Sequence, residues 1–502
     1  MRSFWVRLSY DVIAMIVPAP RDTVGRHRTS TIILSKLFFK RGLEYCRRTP
    51  NLSPLSREKL ERAEHRATKT AVSNLSIRVP EFAKSPQIGE YLTMLPRHIE
   101  LSVRRAMADT PVVLLNGARQ TGKTTLAEAT AEETGAQYFT LDDAATLSLA
   151  AGDPTGFIRN LPGPVVIDEI QKAPALFPAI KRAVDKNRTA GRFLLTGSAN
   201  VMTLPAVSES LAGRMEIIPL FPFSAGELAG RREGFVKRLF EGGLATVKAP
   251  KARDDLAERL VRGGYPEAVR RNDEDRRAAW FASYISTILQ RDVRDLARVD
   301  GLHALPNLLK LLAARTSGLL NLADVGRDIS LPHTTLTRYM ALLETVFMVH
   351  RLPPWSENLG KRLVKAPKLH IVDSGLGCHL VGANAKRLRE DRSLLGRVAE
   401  TFVVGELRKQ LSWSDPRTTL YHLRTATGSE VDVVIERTDG VVAAIEVKVS
   451  ATVAASDFAA LRALRDQLGK RFGSGVVLYT GEKTVPFGDK LWLVPFPVLW
   501  AE

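Results

Sequence analysis

The sequence has little cysteine and no long apolar run, and both shortages limit what the protein can be. Its 502 residues contain two cysteines, Cys46 and Cys378, which are far apart and belong to no CxxC or Cys/His pattern. Neither a disulfide framework nor a zinc site is expected, and a reducing cytoplasm fits. No apolar run approaches the roughly 18 residues of a membrane helix. The N-terminal "DVIAMIVPAP" is short and interrupted by prolines, so we expect no signal peptide and no membrane partner.

Acidic residues are also scarcer than basic ones, and the imbalance is concentrated at one end. The chain has 72 Lys and Arg against 54 Asp and Glu, a formal net charge of +18. Residues 1–93 hold 17 basic and 8 acidic residues and so supply +9 of this excess. A basic excess indicates an anionic partner such as nucleic acid. The rest of the chain carries only an ordinary excess, which weakens that inference.

The chain is too long for one hydrophobic core, and we expect three or four domains. Residues 1–93 show no sustained helical or alternating period, and the pattern improves abruptly at Met94. We predict that this basic extension is poorly ordered or precedes the true start of the protein. A basic arm for nucleic acid is the alternative.

From residue 112 onward, short apolar runs alternate with helical segments. Strands that are apolar on both faces predict a parallel sheet covered by helices, which is an α/β fold. The five predicted strands are "VVLLN", "AQYFTL", "PVVIDE", "RFLLTG" and "MEIIPL".

The stretch "LLNGARQTGKTTL", residues 114–126, follows the first strand and matches G-x-x-x-x-G-K-[ST]. Backbone N–H groups and the dipole of the next helix can there face the β-phosphate of ATP. Lys123 would reach the β- and γ-phosphates, and the Thr124 hydroxyl would ligate Mg²⁺. A plain strand-to-helix turn is the alternative. The predicted nucleotide-binding residues are Gly117, Ala118, Arg119, Gln120, Thr121, Gly122, Lys123, Thr124 and Thr125.

The run "VVIDE" supplies the carboxylates that a Mg-nucleotide site needs at a neighbouring strand end. Asp168 is predicted to hold Mg²⁺ through water, and Glu169 to orient and deprotonate the attacking water. The alternative is a pair of solvated residues that end a strand.

Three further candidate residues follow along the chain. "LLTGSAN" places Ser198 and Asn200 at the end of the fourth strand, where they would sense the γ-phosphate or cap the next helix. Arg214 precedes the fifth strand and is either an arginine finger, in cis or across a subunit interface, or a surface arginine in an ordinary salt bridge.

These runs, with "LPRHIE", "SLAGR" and "IIPLFPFSAGEL", resemble the AAA+ ATPase core of a widespread prokaryotic family. In that family the core is joined to a C-terminal domain of unknown function, and the likeness runs from about Met94 to the C-terminus. The resemblance implies an additional-strand P-loop fold with Walker A at 117–124, Walker B at Asp168 and Glu169, and sensor 1 near Ser198. Many AAA+ proteins form rings, so a homo-oligomer is implied by analogy alone.

Residues 318–355 have the rhythm of a winged helix-turn-helix, with a turn at "ISLPHTT". In a DNA reader, the second helix would offer four side chains to the major groove. They are Thr334, Thr335, Thr337 and Arg338. Winged helices also contact proteins, and this helix carries a single basic residue, so both alternatives stay open.

The C-terminal stretch holds a second group of charged residues. Glu400 lies on a predicted amphipathic helix, Asp432 on a strand, and Glu446 and Lys448 share one face of the next strand. This arrangement resembles the restriction-endonuclease-like PD-(D/E)xK core and implies a second Mg²⁺ site, with Lys448 steadying the attacking water. A plain Glu446–Lys448 ion pair is the alternative. The predicted domains are an extension (1–93), the ATPase core (94–228), a helical lid or bridge (229–300), a winged helix (301–385) and a nuclease-like domain (386–502).

Three hypotheses for the whole protein follow. The first is an ATPase whose cycle switches the C-terminal modules on DNA. The second is an ATP-gated, Mg²⁺-dependent DNA nuclease. The third is an ATP-dependent switch for a protein partner, without nuclease activity.

Overall fold

The computed structural model describes most of the chain beyond its N-terminal extension. The described residues are 95–198, 211–247, 255–293, 302–358, 365–415, 417–425 and 428–501, with Gly360 and Arg362. The predictions for residues 1–93 and for Asn200 lie outside them. Within these ranges, no helix combines the length and the apolar character that crossing a bilayer requires.

The first sheet is parallel throughout, with strand order β2-β3-β4-β1-β5. Its strands are β1 (Val112–Asn116), β2 (Gln137–Thr140), β3 (Val165–Asp168), β4 (Phe193–Gly197) and β5 (Met215–Pro219). Every residue of β1, β3 and β4 is buried, as the continuous apolar runs require. The predicted parallel sheet is therefore confirmed, and the carboxyl ends of β1, β3 and β4 lie side by side.

Helices cover both faces of this sheet. They are α1 (Glu100–Asp109), α2 (Lys123–Thr134), α3 (Ala144–Gly152), α4 (Pro154–Arg159) and α5 (Leu176–Lys186). Successive residues of β1 enter two different cores, because side chains on a strand alternate between its faces. Val112 and Leu114 pack with Phe177 of α5 on one face, and Val113 and Leu115 pack with Leu126 of α2 on the other.

Short helices connect this sheet to the rest of the chain. They are α6 (Ala225–Ala229), α7 (Phe235–Glu241), α8 (Leu256–Arg262), α9 (Pro266–Val269) and α10 (Glu274–Thr287), which continues as a π-helical turn, Ile288–Asp292. Phe235 of α7 and Leu260 of α8 belong to the same apolar core as Val398 in the C-terminal part. These two helices therefore pack with the C-terminal part.

Three helices and a two-stranded antiparallel sheet come next: α11 (Leu305–Ala314), α12 (Leu322–Asp328), α13 (His333–Thr345), β6 (Val349–Leu352) and β7 (Lys368–Ile371). Leu319, between α11 and α12, forms an isolated antiparallel bridge with Lys368 of β7. The two helices predicted within residues 318–355 are therefore present, followed by the predicted strand-like segment.

The C-terminal part contains a mixed sheet with order β12-β13-β11-β10-β9-β8. Its elements are α14 (Ser374–Leu380), α15 (Ala385–Glu390), α16 (Arg392–Ser414), β8 (Thr419–Arg424), β9 (Glu430–Glu436), β10 (Val442–Val447), α17 (Ala459–Leu468), β11 (Phe472–Tyr479), β12 (Val485–Pro486) and β13 (Leu491–Pro495). Strands β8, β9 and β10 are antiparallel to one another, whereas β10, β11 and β13 are parallel. Short 3₁₀ turns occupy Ile170–Lys172, Leu244–Thr246, Leu302–Ala304, Ala455–Phe458, Gly469–Arg471 and Phe496–Trp500.

Candidate functional site

The loop between β1 and α2 depends on two glycines. A Cβ atom on Gly117 would lie 2.1 Å from the Leu220 carbonyl oxygen, so only glycine fits there. Gly122 has a φ of +94°, in the left-handed region that side chains disfavour. No side chain caps the N-terminus of α2, which begins at Lys123. Its first N–H groups and its dipole are left to a ligand, and they favour an anion.

Lys123 is buried behind this loop. Its ammonium donates to the carbonyl oxygens of Gly117 (3.0 Å) and Ala118 (2.8 Å). Burial lowers the pKa of Lys123 to about 8, although Glu169 and Asp168 act in the opposite direction. Its charge is compensated by backbone dipoles and by no ion pair within the described chain, which suits it to an anionic ligand.

Asp168, at the end of β3, is surrounded by hydroxyl groups. The Thr124 hydroxyl lies 3.2 Å from both carboxylate oxygens, and Thr196 of β4 donates to Oδ1 at 2.5 Å. Thr140 of β2 contributes a longer contact of 3.4 Å to Oδ2. The structure thus brings Thr124 and Asp168 together as a pair of hard oxygen ligands, the type that Mg²⁺ prefers.

Glu169 is turned away from the strand by an unusual backbone conformation. Its φ is +58°, which costs a non-glycine residue about 1–3 kcal/mol. The conformation is supported by a 3.0 Å hydrogen bond from the Glu169 N–H to the Thr196 hydroxyl. The Glu169 carboxylate accepts from Ser198 at 3.1 Å and from the amide of Gln171, which also donates to Ser198 at 2.8 Å. Ser198 therefore contacts Glu169 as part of a three-residue group.

Arg214 lies apart from this group. It precedes β5 at the amino edge of the sheet, where its carbonyl accepts from the Val112 N–H, whereas the phosphate loop leaves the carboxyl edge. Its guanidinium pairs with Asp185 at 2.5 Å, with both side chains partly exposed. The structure does not bring Arg214 to the phosphate loop, and its role as an arginine finger stays a prediction.

A cavity of about 600 Å³ lies over the loop, and sequence reasoning missed its second wall. One wall holds Arg119, Gln120, Gly122, Lys123, Thr124, Thr125 and Glu169. The other is formed by α10 and its π-helical turn, with Trp280, Ser283, Tyr284, Thr287, Ile288 and Arg291. Tyr284 donates to the Arg119 carbonyl at 3.3 Å, and Arg119 pairs with Asp292 at 2.5 Å. No sequence motif predicts the contact between the phosphate loop and α10, because these segments are far apart in the chain.

Arg97, within "LPRHIE", was also missed as a site residue. Its guanidinium donates to the carbonyls of Thr121 and Phe221, both at 2.7 Å, and to the Glu227 carboxylate at 3.0 Å. Because Thr121 belongs to the phosphate loop and Phe221 follows β5, Arg97 joins the loop to the segment that leaves the sheet.

The segment after β5 is bonded directly to the C-terminal part. Glu406 of α16 accepts from the Ala225 N–H at 2.8 Å, and Lys409 donates to the Phe223 carbonyl at 3.0 Å. Asp373 accepts from the Gly264 N–H at 2.8 Å, and Gly264 accepts in turn from the Phe223 N–H. A series of buried and partly buried hydrogen bonds therefore links the phosphate loop, through the segment after β5, to α16.

The charged residues predicted for the C-terminal part also converge, around a lysine that was not predicted. The Lys368 ammonium, from β7, lies 2.8 Å from Glu400, 2.6 Å from Glu430 and 3.1 Å from Asp432. These interactions raise the pKa of Lys368 against the effect of burial.

The third predicted carboxylate, Glu446, lies beside this cluster. Glu446 pairs with Lys448 at 2.9 Å, and Asp432 accepts from the Val447 N–H at 2.9 Å. Burial raises the pKa of Glu400 to about 8 and that of Glu446 to about 7. Within the described ranges, no set of three or more His, Cys, Asp or Glu is arranged to hold a metal ion.

Comparison with known families matches three parts of the chain. Residues 109–229 match the AAA domain, residues 253–387 a domain of unknown function (DUF8612), and residues 395–499 a second domain of unknown function (DUF4143). The uncharacterized proteins Rv2008c of Mycobacterium tuberculosis and Mb2031c of Mycobacterium bovis are each 32% identical over 395 residues, 78% of this chain and 82% of theirs. The chain belongs to the family of these mycobacterial proteins. Its core is an AAA-type P-loop ATPase domain, followed by a DUF4143 region, as the family resemblance implied.

More distant similarities were also found. The uncharacterized protein MJ1544 of Methanocaldococcus jannaschii is 21% identical over 248 residues, 48% of this chain and 52% of that protein. Among solved structures, the Walker-type ATPase of Pyrococcus abyssi is 14% identical and covers 58% of this chain and 99% of its own, with a TM-score of 0.37. The RuvB Holliday junction branch migration motor of Thermotoga maritima is 20% identical and covers 55% and 90%, with a TM-score of 0.25. TM-scores of this size carry no information about the function of this chain.

Proposed function

We propose that the protein hydrolyses ATP in the cavity between the phosphate loop and α10. The observation that carries this proposal is the meeting of three kinds of group at one cavity. Lys123 brings a positive charge without an ion pair in the described chain, Thr124 and Asp168 bring oxygen ligands, and Glu169 brings a carboxylate held by side chains. Phosphoryl transfer needs these groups, because its catalysis is mainly positioning and charge stabilisation.

Each residue has a role that follows from its contacts. Lys123 binds the β- and γ-phosphates in place of its two carbonyl partners, and the N-terminus of α2 binds the β-phosphate. Glu169 accepts a proton from the attacking water, and Ser198 and Gln171 fix the direction of its carboxylate.

Thr124 and Asp168 would hold Mg²⁺. Their hydroxyl and carboxylate oxygens lie together within 3.2 Å, and a few protein oxygens completed by water and phosphate are the usual magnesium environment. When bound, Mg²⁺ would neutralise charge on the phosphates.

Phosphate release measured with Mg·ATP tests this proposal. The Lys123→Met variant should lose turnover by at least about a hundredfold, because the phosphates lose their buried counter-charge. Lys186→Met, at the exposed end of α5, is the matched control and should retain the wild-type rate. Equal rates in the two variants would overturn the proposal.

The nucleotide cycle would act on the C-terminal part, and the hydrogen-bond chain from Arg97 to α16 supports this coupling. A conformational change in the phosphate loop would reach Phe221 and Glu227 through Arg97, and α16 through Ala225 and its partner Glu406.

DNA is the proposed partner of α13. Helices α11 to α13, the Leu319–Lys368 bridge and the β6–β7 pair follow the order of a winged helix, which supports that assignment. On α13, Thr334, Thr337 and Arg338 are exposed, and Thr335 is half-buried. The turnover rate should rise several-fold with duplex DNA and lose that stimulation in Arg338→Ala. Stimulation by no nucleic acid would favour the protein-switch alternative.

Cleavage of DNA by the C-terminal part is a second candidate function. It is favoured by the convergence of Glu400, Asp432, Glu446 and Lys448 on α16, β9 and β10, and disfavoured by the Lys368 ammonium among the same carboxylates. Nicking of supercoiled plasmid with Mg²⁺ or Mn²⁺ tests it. Loss of nicking in Asp432→Asn would support cleavage, and intact plasmid with wild-type protein would count against it.

A further inference from the structure

A second cavity, of about 450 Å³, lies beside the free edge of the parallel sheet. Edge strand β5 and α1 form one side of it, and α16, β8 and the end of β6 form the other. Its apolar lining includes Ile217, Pro219, Phe221, Leu411 and Leu420. It shares no residue with the cavity over the phosphate loop. A largely apolar cavity of this size with a few polar groups is the usual form of a small-molecule site.

Arg408 of α16 supplies the positive charge in this cavity. Within the described residues it forms no hydrogen bond or ion pair, and its guanidinium carbon lies 4.9 Å from the centre of the Phe221 ring. Burial alone lowers the pKa of Arg408 to about 10, so the group is still a cation at neutral pH. The Arg408 side chain is half-buried and has no counter-charge among the described residues, so an anionic ligand in the cavity would supply one.

Two other titratable side chains line the cavity. Burial, with Arg408 nearby, holds the pKa of His350 well below its usual range, so this imidazole is neutral at pH 7. It too has no hydrogen-bond partner among the described residues. Glu216 is exposed and lies beyond ion-pair distance of Arg408. The positive charge of Arg408 is therefore not cancelled by the acid that shares its cavity.

We propose that this cavity binds a small organic oxyanion, in which an apolar body carries one anionic group. The body would fill the space among Ile217, Phe221 and Leu420, and the oxyanion would bind the guanidinium of Arg408, whose planar fork matches two oxygens at once. His350 would add one neutral hydrogen bond.

A matched pair of fluorescent probes tests the charge requirement on the full-length protein. 1-Anilinonaphthalene-8-sulfonate carries a single sulfonate, and N-phenyl-1-naphthylamine is the same body without it. With Mg·ADP present to fill the nucleotide site, we expect one sulfonate probe per chain, bound at least about tenfold more tightly than the neutral probe. Equal affinities, or no binding of the sulfonate probe, would overturn the proposal.

Variants test whether Arg408 is the residue that binds the sulfonate. Arg408→Met should remove the preference for the sulfonate and leave the neutral probe unaffected, whereas Arg408→Lys should keep part of the preference. Glu216→Gln should strengthen sulfonate binding, because a nearby negative charge is removed. These last two variants keep the test decisive if Arg408→Met folds poorly. A preference that survives in Arg408→Met would contradict the proposal.

Competition then identifies the anionic group of the ligand. Displacement of the probe by dodecanoate indicates a carboxylate, and displacement by dodecyl phosphate indicates a phosphate ester. Failure of both to compete would contradict the stated ligand class.

Discussion

Two buried lysines in this protein have acidic residues nearby, and their surroundings differ. Lys123 donates only to the carbonyls of Gly117 and Ala118, and burial lowers its pKa to about 8. Lys368 is equally buried but lies within 3.1 Å of Glu400, Glu430 and Asp432, which raise its pKa.

This difference distinguishes a site whose charges are available to a ligand from a site whose charges already compensate one another. At the phosphate loop, the Lys123 ammonium contacts only carbonyl groups, and the Asp168 carboxylate contacts hydroxyl groups. Neither charge is neutralised by an ion pair in the described chain, so Lys123 could bind a phosphate and Asp168 a cation. In the C-terminal part, the ammonium of Lys368 already compensates the charges of Glu400, Glu430 and Asp432.

The largest effect is expected at Glu169. Glu169→Gln keeps the size of the side chain and its contacts with Ser198 and Gln171 but removes the base, so kcat should fall by about 10²–10⁴-fold with KM little changed. Steady-state phosphate release measures this. The matched change in the other site, Glu430→Gln, should leave kcat within twofold, and a comparable fall there would break the comparison.

Removal of Lys368 should lower the stability of the protein and not its rate of ATP turnover. Lys368→Met leaves three buried or half-buried carboxylates without their cation, and the free energy of unfolding should fall by about 3–5 kcal/mol. Urea denaturation measures the change. Lys365→Met, at an exposed position, is the control, and adding Glu400→Gln to Lys368→Met should recover part of the loss.

The same variant tests whether Lys368 stands in for a cation. Millimolar Mn²⁺ should raise the unfolding midpoint of Lys368→Met and leave that of the wild type nearly unchanged in the absence of nucleotide. An equal rise in both proteins would show that the carboxylates accept metal despite the lysine.

A smaller effect on turnover is expected at Thr196, whose hydroxyl links Asp168 to the backbone of Glu169. Thr196→Val keeps the shape and removes both hydrogen bonds, so kcat should fall by about tenfold. Thr189→Val, on the exposed loop before β4, should have no effect. An unchanged rate would mean that Asp168 and Glu169 are positioned without this hydroxyl.

The smallest effect near neutral pH is expected from three histidines, whose titration lowers the stability of the protein only in acid. Burial and nearby cations lower the pKa values of His350, His370 and His422, the last to about 4. At these histidines the unfolded chain binds more protons than the folded one below pH 6.5, so their contribution to stability is full above that pH and falls towards pH 4. Each histidine contributes about 1.4 kcal/mol per pH unit. His422→Gln should flatten the dependence of the unfolding midpoint on pH, and an unchanged slope would contradict this account.

The parts of the fold that sequence predicts well are those fixed by local patterns. Five apolar runs predicted the parallel sheet. The glycine spacing indicated Lys123 and Thr124, and the run "VVIDE" indicated Asp168 and Glu169, and the structure brings these four residues together. Each of these residues lies at the end of a buried strand or the start of a helix, so its position follows from its neighbours in the chain.

The missed residues reach their partners through tertiary packing. Trp280 and Asp292 face the phosphate loop from α10, and Lys368 enters the carboxylate cluster from β7, more than thirty residues before Glu400. Strand β8 was missed because its polar and apolar residues become a strand only by pairing with β9. The sequence did not show on which side of the sheet Arg214 lies. The topology puts it at the edge opposite the phosphate loop.

Titration calorimetry of Mg·ATP into wild-type, Lys123→Met and Lys368→Met proteins, each held below its unfolding midpoint, tests the contrast between the two lysines most directly. The wild type and Lys368→Met should each bind one nucleotide per chain with similar affinity, and Lys123→Met should bind at least about tenfold more weakly. No uptake by the wild type, or equal binding by Lys123→Met, would contradict the central claim.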